Sequence, residues 1–163
     1  MNILDAIKQD HDQYKDQMQQ LNEAKSIGQS EKDLFQRFSG DIEGHIQAEH
    51  KTLYPALEQK EKAKKHVLQA YEEHHVASGV LNELKSMEQM DERWMAKMQV
   101  LSELVKHHIQ EEEEVIFKQA RDELGSDKLS ELGDQFESSK QEMMRQTQTS
   151  TRGAAKSKSS SRK

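Results

Sequence analysis

Cysteine is absent from the sequence, proline occurs once and glycine seven times. The absence of cysteine excludes disulfides, thiolate metal ligands, cysteine nucleophiles and cysteine-held iron–sulfur clusters. Any metal ion in this protein must therefore be bound by nitrogen and oxygen atoms. Because proline and glycine are the strongest helix breakers, their scarcity in a chain with 33% charged residues favours long helices. We predict an all-α fold.

Long hydrophobic runs are also missing. No segment approaches the roughly 20 consecutive apolar residues of a membrane-spanning helix. The first ten residues, Met1–Asp10, lack the apolar stretch of a signal peptide. We therefore expect a cytoplasmic protein without a membrane partner. Its 163 residues fit a single domain of ordinary size.

The net charge of −6 is unevenly distributed. After Glu142 only basic charges remain, at Arg145, Arg152, Lys156, Lys158, Arg162 and Lys163. The preceding acidic body argues against a specific nucleic-acid-binding domain. The Ser/Lys/Arg-rich end could contact acidic partners weakly, but its low complexity is typical of a disordered tail. We predict one domain over residues 1–145 and a disordered basic tail over residues 146–163.

Apolar residues recur at helical spacing in four long segments. The first predicted helix runs from the Asn2 cap to about Ser26, with Gly28 as a stop, and the second from Ser30 to Leu57–Gln59. The third runs from about Val67 to Met87, and the fourth from the Asp91 cap to Gly125. Short connections between long helices predict an up-down-up-down four-helix bundle. A short fifth helix is expected to begin at Ser126 and pack outside the bundle. Pro55 should bend the end of the second helix, because it crowds the carbonyl of Lys51.

Two segments 63 residues apart carry the same pattern. His45-Ile-Gln-Ala-Glu49, followed by Leu53-Tyr54, matches His108-Ile-Gln-Glu-Glu112, followed by Ile116-Phe117. At the same offset His11 falls on His74, and each of these follows an acidic residue. The duplicated set therefore contains six residues: His11, His45, Glu49, His74, His108 and Glu112.

Helix geometry brings this set together. Residues four positions apart share a helix face, so each HxxxE pair points two ligands in one direction. Counted from the turns at 1.5 Å per residue, all six side chains reach one level of an antiparallel bundle within one or two helical turns. Burying two carboxylates and four imidazoles is unfavourable unless cations or hydrogen bonds compensate them. Because six ligands exceed one tetrahedral site, we predict two metal ions, with iron, manganese and zinc all compatible.

The arrangement of these residues resembles the hemerythrin-like, or HHE cation-binding, domain, in its bacterial four-histidine, two-glutamate type. The resemblance covers about residues 1–145 and rests on His11, His45-x3-Glu49-x3-Leu53-Tyr54-Pro55, Glu73-His74 and His108-x3-Glu112-Glu113. It implies a four-helix bundle holding a non-haem di-iron centre, in which the two glutamates bridge the irons beside an oxo or hydroxo group. The iron ligands that it implies are His11, His45, Glu49, His74, His108 and Glu112.

One departure from the oxygen-carrying members bears on function. Those members have an HxxxH pair on the third helix, whereas here Ser78 stands four residues after His74. The missing histidine leaves both irons open, which favours chemistry with dioxygen, nitric oxide or hydrogen peroxide in oxidative or nitrosative stress. Whether the protein is an enzyme stays open: a catalase-like or nitric-oxide-processing oxidoreductase, a reversible binding or sensing module, and an iron storage or donation protein all fit. We predict no catalytic residue beyond the metal ligands.

The other polar residues near the motifs have simpler interpretations. His50, His75 and His107 are each rotated about 100° from a motif residue, which favours solvent exposure or hydrogen bonding to a ligand over ligation. An exchange of His75 for His74, or of His107 for His108, stays open. Tyr14 follows His11 by about one turn; core packing is favoured over a role as a neighbour of the metal cavity.

Overall fold

The computed structural model describes residues 1–159, with side chains for residues 1–154. The described residues form helices only, which confirms the all-α prediction. The elements are α1 (Ile3–Glu23), α2 (Gln29–Lys51), α3 (Leu53–Glu58), α4 (Glu61–Ser86), α5 (Glu92–Glu111), a π-helical turn (Glu112–Ile116) and α6 (Phe117–Ser159).

Two predicted helix caps are confirmed. The Asn2 side chain accepts hydrogen bonds from the backbone amides of Leu4 and Asp5, which have no partner inside the helix. Asp91 caps α5 in the same way. The prediction that Gly28 ends the first helix is wrong: α1 already ends at Glu23, and Gly28 instead precedes α2, where its amide donates to the Glu31 carboxylate.

The predicted second helix is divided in two at the bend expected from Pro55. α2 ends at Lys51, Thr52 leaves helical geometry with φ −127° and ψ −85°, and α3 then continues to Glu58, within the predicted end at Leu57–Gln59. A proline ring collides with the carbonyl of the residue four positions earlier, here Lys51, so the break before Pro55 relieves that contact. The Thr52 hydroxyl donates to the carbonyl of Ala48 at 2.6 Å, which stabilises the end of α2.

The predicted break at Gly125 is present, inside α6. Gly125 has φ 73° and ψ 162°, a backbone conformation that residues with a Cβ rarely adopt. Beyond it, α6 packs on the bundle through Leu129, Leu132, Phe136 and Ser139. The helix continues to Ser159, although every described side chain from Arg145 to Ala154 is exposed. A helix without buried residues is weakly stabilised, so disorder of the segment 146–163 in solution stays a prediction; residues 160–163 lie outside the described chain.

The long helices α1, α2, α4 and α5 form the predicted four-helix bundle. Both α1 and α4 pack against α2 and α5, while α6 packs against α1 and α2. Two apolar clusters fill the interior, and they occupy different levels. On α1, Ile7 belongs to one cluster and Tyr14 to the other, so His11 lies between them. The bundle therefore has a polar layer between two apolar ones.

No helix within the described residues has a stretch long and apolar enough to cross a membrane.

Candidate metal centre

All six side chains of the duplicated set are buried in the polar layer. Each is at most 8% exposed, and Glu49 and Glu112 are completely enclosed. The histidines come from α1, α2, α4 and α5, one from each long helix, and the glutamates follow the histidines of α2 and α5 by four residues. The depths counted along the predicted helices thus agree with the level at which the structure has these residues. Their role as metal ligands is a proposal.

Each glutamate faces one histidine from each half of the repeat. The Nε2-to-carboxylate distances are 3.2 Å for His45–Glu49, 3.3 Å for His74–Glu49, 3.3 Å for His11–Glu112 and 3.5 Å for His108–Glu112. Because all four Nε2 atoms point inward, the ligand atoms form two groups with the spacing of metal sites. These groups are His11, His45, Glu49 and Glu112, and Glu49, His74 and His108.

Several of the inward-facing atoms make these close contacts without the geometry of a hydrogen bond, and they have no other hydrogen-bond partner within the described protein. They are Nε2 of His11, both carboxylate oxygens of Glu49 and Oε2 of Glu112. Buried polar atoms normally have partners, because an unpaired one costs the free energy of its lost hydration. Imidazole nitrogen and carboxylate oxygen are suitable ligands for iron, manganese and zinc. The residues therefore fit a site for metal ions.

The outward-facing Nδ1 atoms are each held by one side chain. The pairs are His45 with Asp10 at 2.8 Å, His11 with Glu113 at 2.9 Å, His108 with Glu73 at 2.9 Å and His74 with Nε2 of His50 at 2.8 Å. Such hydrogen bonds fix the ring orientation and make the other nitrogen a better metal ligand. These pairs follow the 63-residue repeat, which relates Asp10 to Glu73 and His50 to Glu113.

The two halves of the centre differ in one aromatic residue. His11 stacks on Phe117, with ring centroids 6.3 Å apart, and His74 stacks on Tyr54, the repeat equivalent of Phe117, at 5.3 Å. The Tyr54 hydroxyl donates to Oε1 of Glu112 at 2.9 Å and lies 3.4 Å from Nε2 of His74. The Tyr54 hydroxyl therefore lies beside the inward-facing atoms on the His74 side, whereas Phe117 offers no hydroxyl on the His11 side.

The two buried carboxylates titrate differently in the protein without metal. Burial, followed by the nearby charge of Glu112, raises the pKa of Glu49 above its ordinary value. Burial acts in the same direction on Glu112, but its interactions with His108 and His11 outweigh burial and lower the pKa of Glu112 well below the ordinary value. Two adjacent carboxylates are not ionised equally unless positive charge compensates both.

Protonated histidines supply part of that charge. Burial alone would lower their pKa, but Glu49 and Asp10 raise the pKa of His45 to about 9, and Glu112 and Glu73 raise the pKa of His108 to about 10. His74, by contrast, has a pKa well below its ordinary value because of burial and the charge on His108. Metal binding displaces protons from such imidazoles, since only the neutral ring ligates.

A cavity of ≈ 20 Å³ adjoins the inward-facing histidines, which is room for about one water-sized molecule. Its other walls are mainly apolar side chains, contributed by Tyr14, Ile42, Ile46, Ala77, Val105 and Ile109. Tyr14 is buried and its ring packs perpendicular to that of His45, while its hydroxyl donates to the carbonyl of Asp41. Tyr14 therefore combines the favoured core role with a place beside the cavity.

The remaining histidines near the motifs lie outside the centre. His75 and His107 are exposed, so in this structure neither exchanges with its neighbour. His50 is half-buried and bonds His74, which is the hydrogen-bonding role that the sequence allowed. Ser78 lines a solvent-open groove with His50 and His74, on the outer side of the His74 ring.

Sequence reasoning missed several residues that shape the centre: Tyr54, the carboxylates of Asp10, Glu73 and Glu113, and Lys140. Lys140 lies on α6 and donates to both oxygens of Asp10 at 2.8 Å. The repeat contained a signal for two of the carboxylates, since Asp10 and Glu73 occupy equivalent positions. Each bonds a histidine on another helix, rather than the histidine that follows it in sequence.

Comparison with known proteins gives matches over most of the chain. The family profile described as the hemerythrin HHE cation binding domain matches residues 2–120. The crystal structure of a hemerythrin HHE cation-binding domain-containing protein from Mycobacterium kansasii superposes with a TM-score of 0.81 and 21% sequence identity, covering 93% of each chain. At this identity the superposition supports the bundle fold alone.

A curated relative, a DNA nickase from Nostoc sp. PCC 7120, is 23% identical over 157 residues. The alignment includes 94% of this chain but only 43% of the relative, so the chain spans less than half of that protein's length.

Proposed function

Because the chain belongs to the hemerythrin HHE cation-binding family, we propose that it holds two iron ions and reacts with small molecules such as hydrogen peroxide, nitric oxide or dioxygen. The observation that carries this proposal is the pair of ligand-atom groups that share Glu49 in the buried layer. The proposed iron ligands are His11, His45, Glu49, His74, His108 and Glu112. An oxo or hydroxo bridge between the ions, a role in stress response and a cytoplasmic location are parts of the same proposal.

The placement of the four histidines supports a division of the site between two ions. His11 and His45 approach the carboxylates from one side, and His74 and His108 approach them from the other. Glu49, which belongs to both ligand groups, would hold a cation together with either histidine pair, as glutamates do in di-metal bundles. When bound, an iron pair supplies the change in oxidation state that reaction with these small molecules requires.

The protein groups around the ions would control access and protons. The small cavity has mainly apolar walls, which favours diatomic or peroxidic molecules over large substrates. The Tyr54 hydroxyl donates its one proton to Glu112 and lies within 3.5 Å of Nε2 of His74 and His108, so it could turn from Glu112 to donate to a molecule on that side. Burial keeps the hydroxyl protonated, because it raises the pKa of Tyr54 well above its ordinary value. Tyr54 is therefore a hydrogen-bond donor at neutral pH.

The proposal is tested on protein expressed with ample iron. We expect about two irons per chain, and oxygen evolution on addition of hydrogen peroxide if the protein is a catalase-like enzyme. Aerobic and anaerobic absorption spectra distinguish the alternatives: a stable oxygenated spectrum with negligible peroxide turnover indicates a binding or sensing module. Iron that chelators remove readily, without turnover or a stable complex, indicates storage or donation.

Variants locate the irons. Glu49→Ala and Glu112→Ala each remove a shared carboxylate and should lower iron content, while Glu114→Ala, an exposed glutamate close by in the chain, should not. Less than about one iron per chain, or zinc alone, would overturn the di-iron proposal. Nicking of supercoiled plasmid without peroxide turnover would point instead to the activity for which the Nostoc relative is named.

A further inference from the structure

A second HxxxE pair overlaps the buried one. His107 and Glu111 directly precede His108 and Glu112, so helical rotation of about 100° per residue turns the outer pair towards solvent. The side chain of His107 is 65% exposed and that of Glu111 is 41% exposed. Nε2 of His107 lies 3.5 Å from Oε1 of Glu111 and 3.9 Å from Oε2 of Glu73 on α4. Three potential ligands from two helices therefore converge at the surface.

The charges around Glu73 differ from those around the other carboxylates that hold histidine Nδ1 atoms. Asp10 has the ammonium of Lys140 at 2.8 Å. Glu113 has Lys8 at 3.6 Å and Lys15 at 3.9 Å. No lysine or arginine of the described residues pairs with Glu73, which instead faces a second carboxylate and an imidazole. Of the three carboxylates, Glu73 alone has no ammonium beside it among the described residues, and two potential metal ligands, His107 and Glu111, lie beside it instead.

This cluster is not a by-product of the internal repeat. The positions equivalent to His107 and Glu111 in the first half are Gly44 and Ala48, whose side chains cannot ligate a metal. The orientation of Glu111 is also fixed, because Gln69 donates to its Oε2 at 2.9 Å and leaves Oε1 towards His107.

We propose that Glu73, His107 and Glu111 form a surface site for a divalent transition-metal cation, separate from the buried centre. One imidazole and two carboxylates suit zinc, iron(II) or manganese(II), and three protein ligands leave further positions to water. Exposure makes the ion exchangeable with solvent. Because Glu73 also holds Nδ1 of His108 at 2.9 Å, an ion at this site is linked through one carboxylate to the buried centre.

Calorimetric titration of the iron-loaded protein with zinc chloride tests the proposal. We expect wild type to bind about one more equivalent of zinc than His107→Ala, and Glu111→Gln to lose the same equivalent. The matched controls are His75→Ala, an exposed histidine on α4, and Glu114→Gln, an exposed glutamate beyond the triad. Both controls should bind as wild type does, and circular dichroism of all four variants should show unchanged helix content.

Equal zinc stoichiometry in wild type and His107→Ala would overturn the surface site, as would equal losses in the triad variants and the controls. Each result is a difference between folded variants in the same metal state. It therefore does not depend on whether the buried centre holds two irons, which iron analysis decides separately.

Discussion

The histidines of the centre are oriented by hydrogen bonds to side chains that lie outside it. Three of the four inward-facing histidines have a carboxylate on Nδ1, whereas His74 has His50. A carboxylate stabilises the ring with its proton on Nδ1 and leaves Nε2 free to ligate, while an imidazole partner adds no negative charge. His74 therefore lacks the partner charge that raises the pKa of His45 and His108, in agreement with the lowered pKa that burial and His108 give it.

The substitution Asp10→Asn tests this orientation. The amide keeps the size of Asp10 but loses the charge that holds both Nδ1 of His45 and the ammonium of Lys140. We expect metal affinity to fall about 10- to 100-fold, which is usual when the partner of a ligating histidine is replaced. Competition with a chromogenic chelator measures the change.

The matched control is Asp12→Asn on the same helix, an exposed carboxylate paired with Lys8. Its metal affinity should equal that of wild type. Equal affinity in Asp10→Asn and wild type would contradict the role given to Asp10.

The sequence predicted the six inward-facing residues but not the side chains that hold them. An HxxxE pair shares a helix face by geometry alone, and the repeat doubled that signal. The pairing of Asp10 with His45 depends instead on how α1 and α2 are rotated against each other, which residue spacing within one helix does not determine. Lys140 was unpredictable for the same reason, since it lies 130 positions from Asp10.

At the scale of helices, both glutamate-bearing elements leave α-helical geometry near the glutamate. The helix that bears Glu49 is interrupted at Thr52, three residues later, and the π-helical turn begins at Glu112 itself. Pro55 made the first irregularity predictable, because its ring crowds the carbonyl of Lys51, directly before the break. The π-helical turn has no proline or glycine to mark it, so the sequence predicted an uninterrupted helix there. Such turns often occur at functional sites.

The break at Gly125 decides whether α6 reaches the bundle. Beyond it, Phe136 packs its ring against His45, and Lys140 bonds Asp10. Gly125→Ala should destabilise the protein by about 1–3 kcal/mol, because the observed backbone conformation is almost confined to glycine. Urea unfolding followed by circular dichroism measures the loss.

Gly79→Ala provides the control for that substitution. Gly79 lies in α4, is exposed and has open space where a Cβ would be added. Alanine is a better helix former, so this variant should gain about 0.5–1 kcal/mol. A Gly125→Ala protein as stable as wild type would show that the chain can turn there without the glycine conformation.

In the molecule as a whole, a polar layer lies between two apolar clusters. Hydrophobic periodicity predicted the four long helices because each buries a continuous apolar face. It did not predict the length of α6, whose last described residues are exposed and lack such a face. The apolar clusters stabilise the bundle on both sides, whereas the layer between them encloses two carboxylates, one of which has both oxygens without partners. Metal ions that bind this layer should therefore stabilise the fold.

Removal of metal is expected to lower the melting temperature. A ligand that binds only the folded state stabilises it by about 2.7 kcal/mol when free ligand is at 100 times its dissociation constant. For a protein of this size that corresponds to a rise of about 5–10 °C over the metal-free form. Calorimetric melting of His107→Ala, with metal, after chelation and after metal is restored, measures the buried centre without the proposed surface site. A melting temperature that does not change through this cycle would mean that the buried carboxylates are compensated by protons alone.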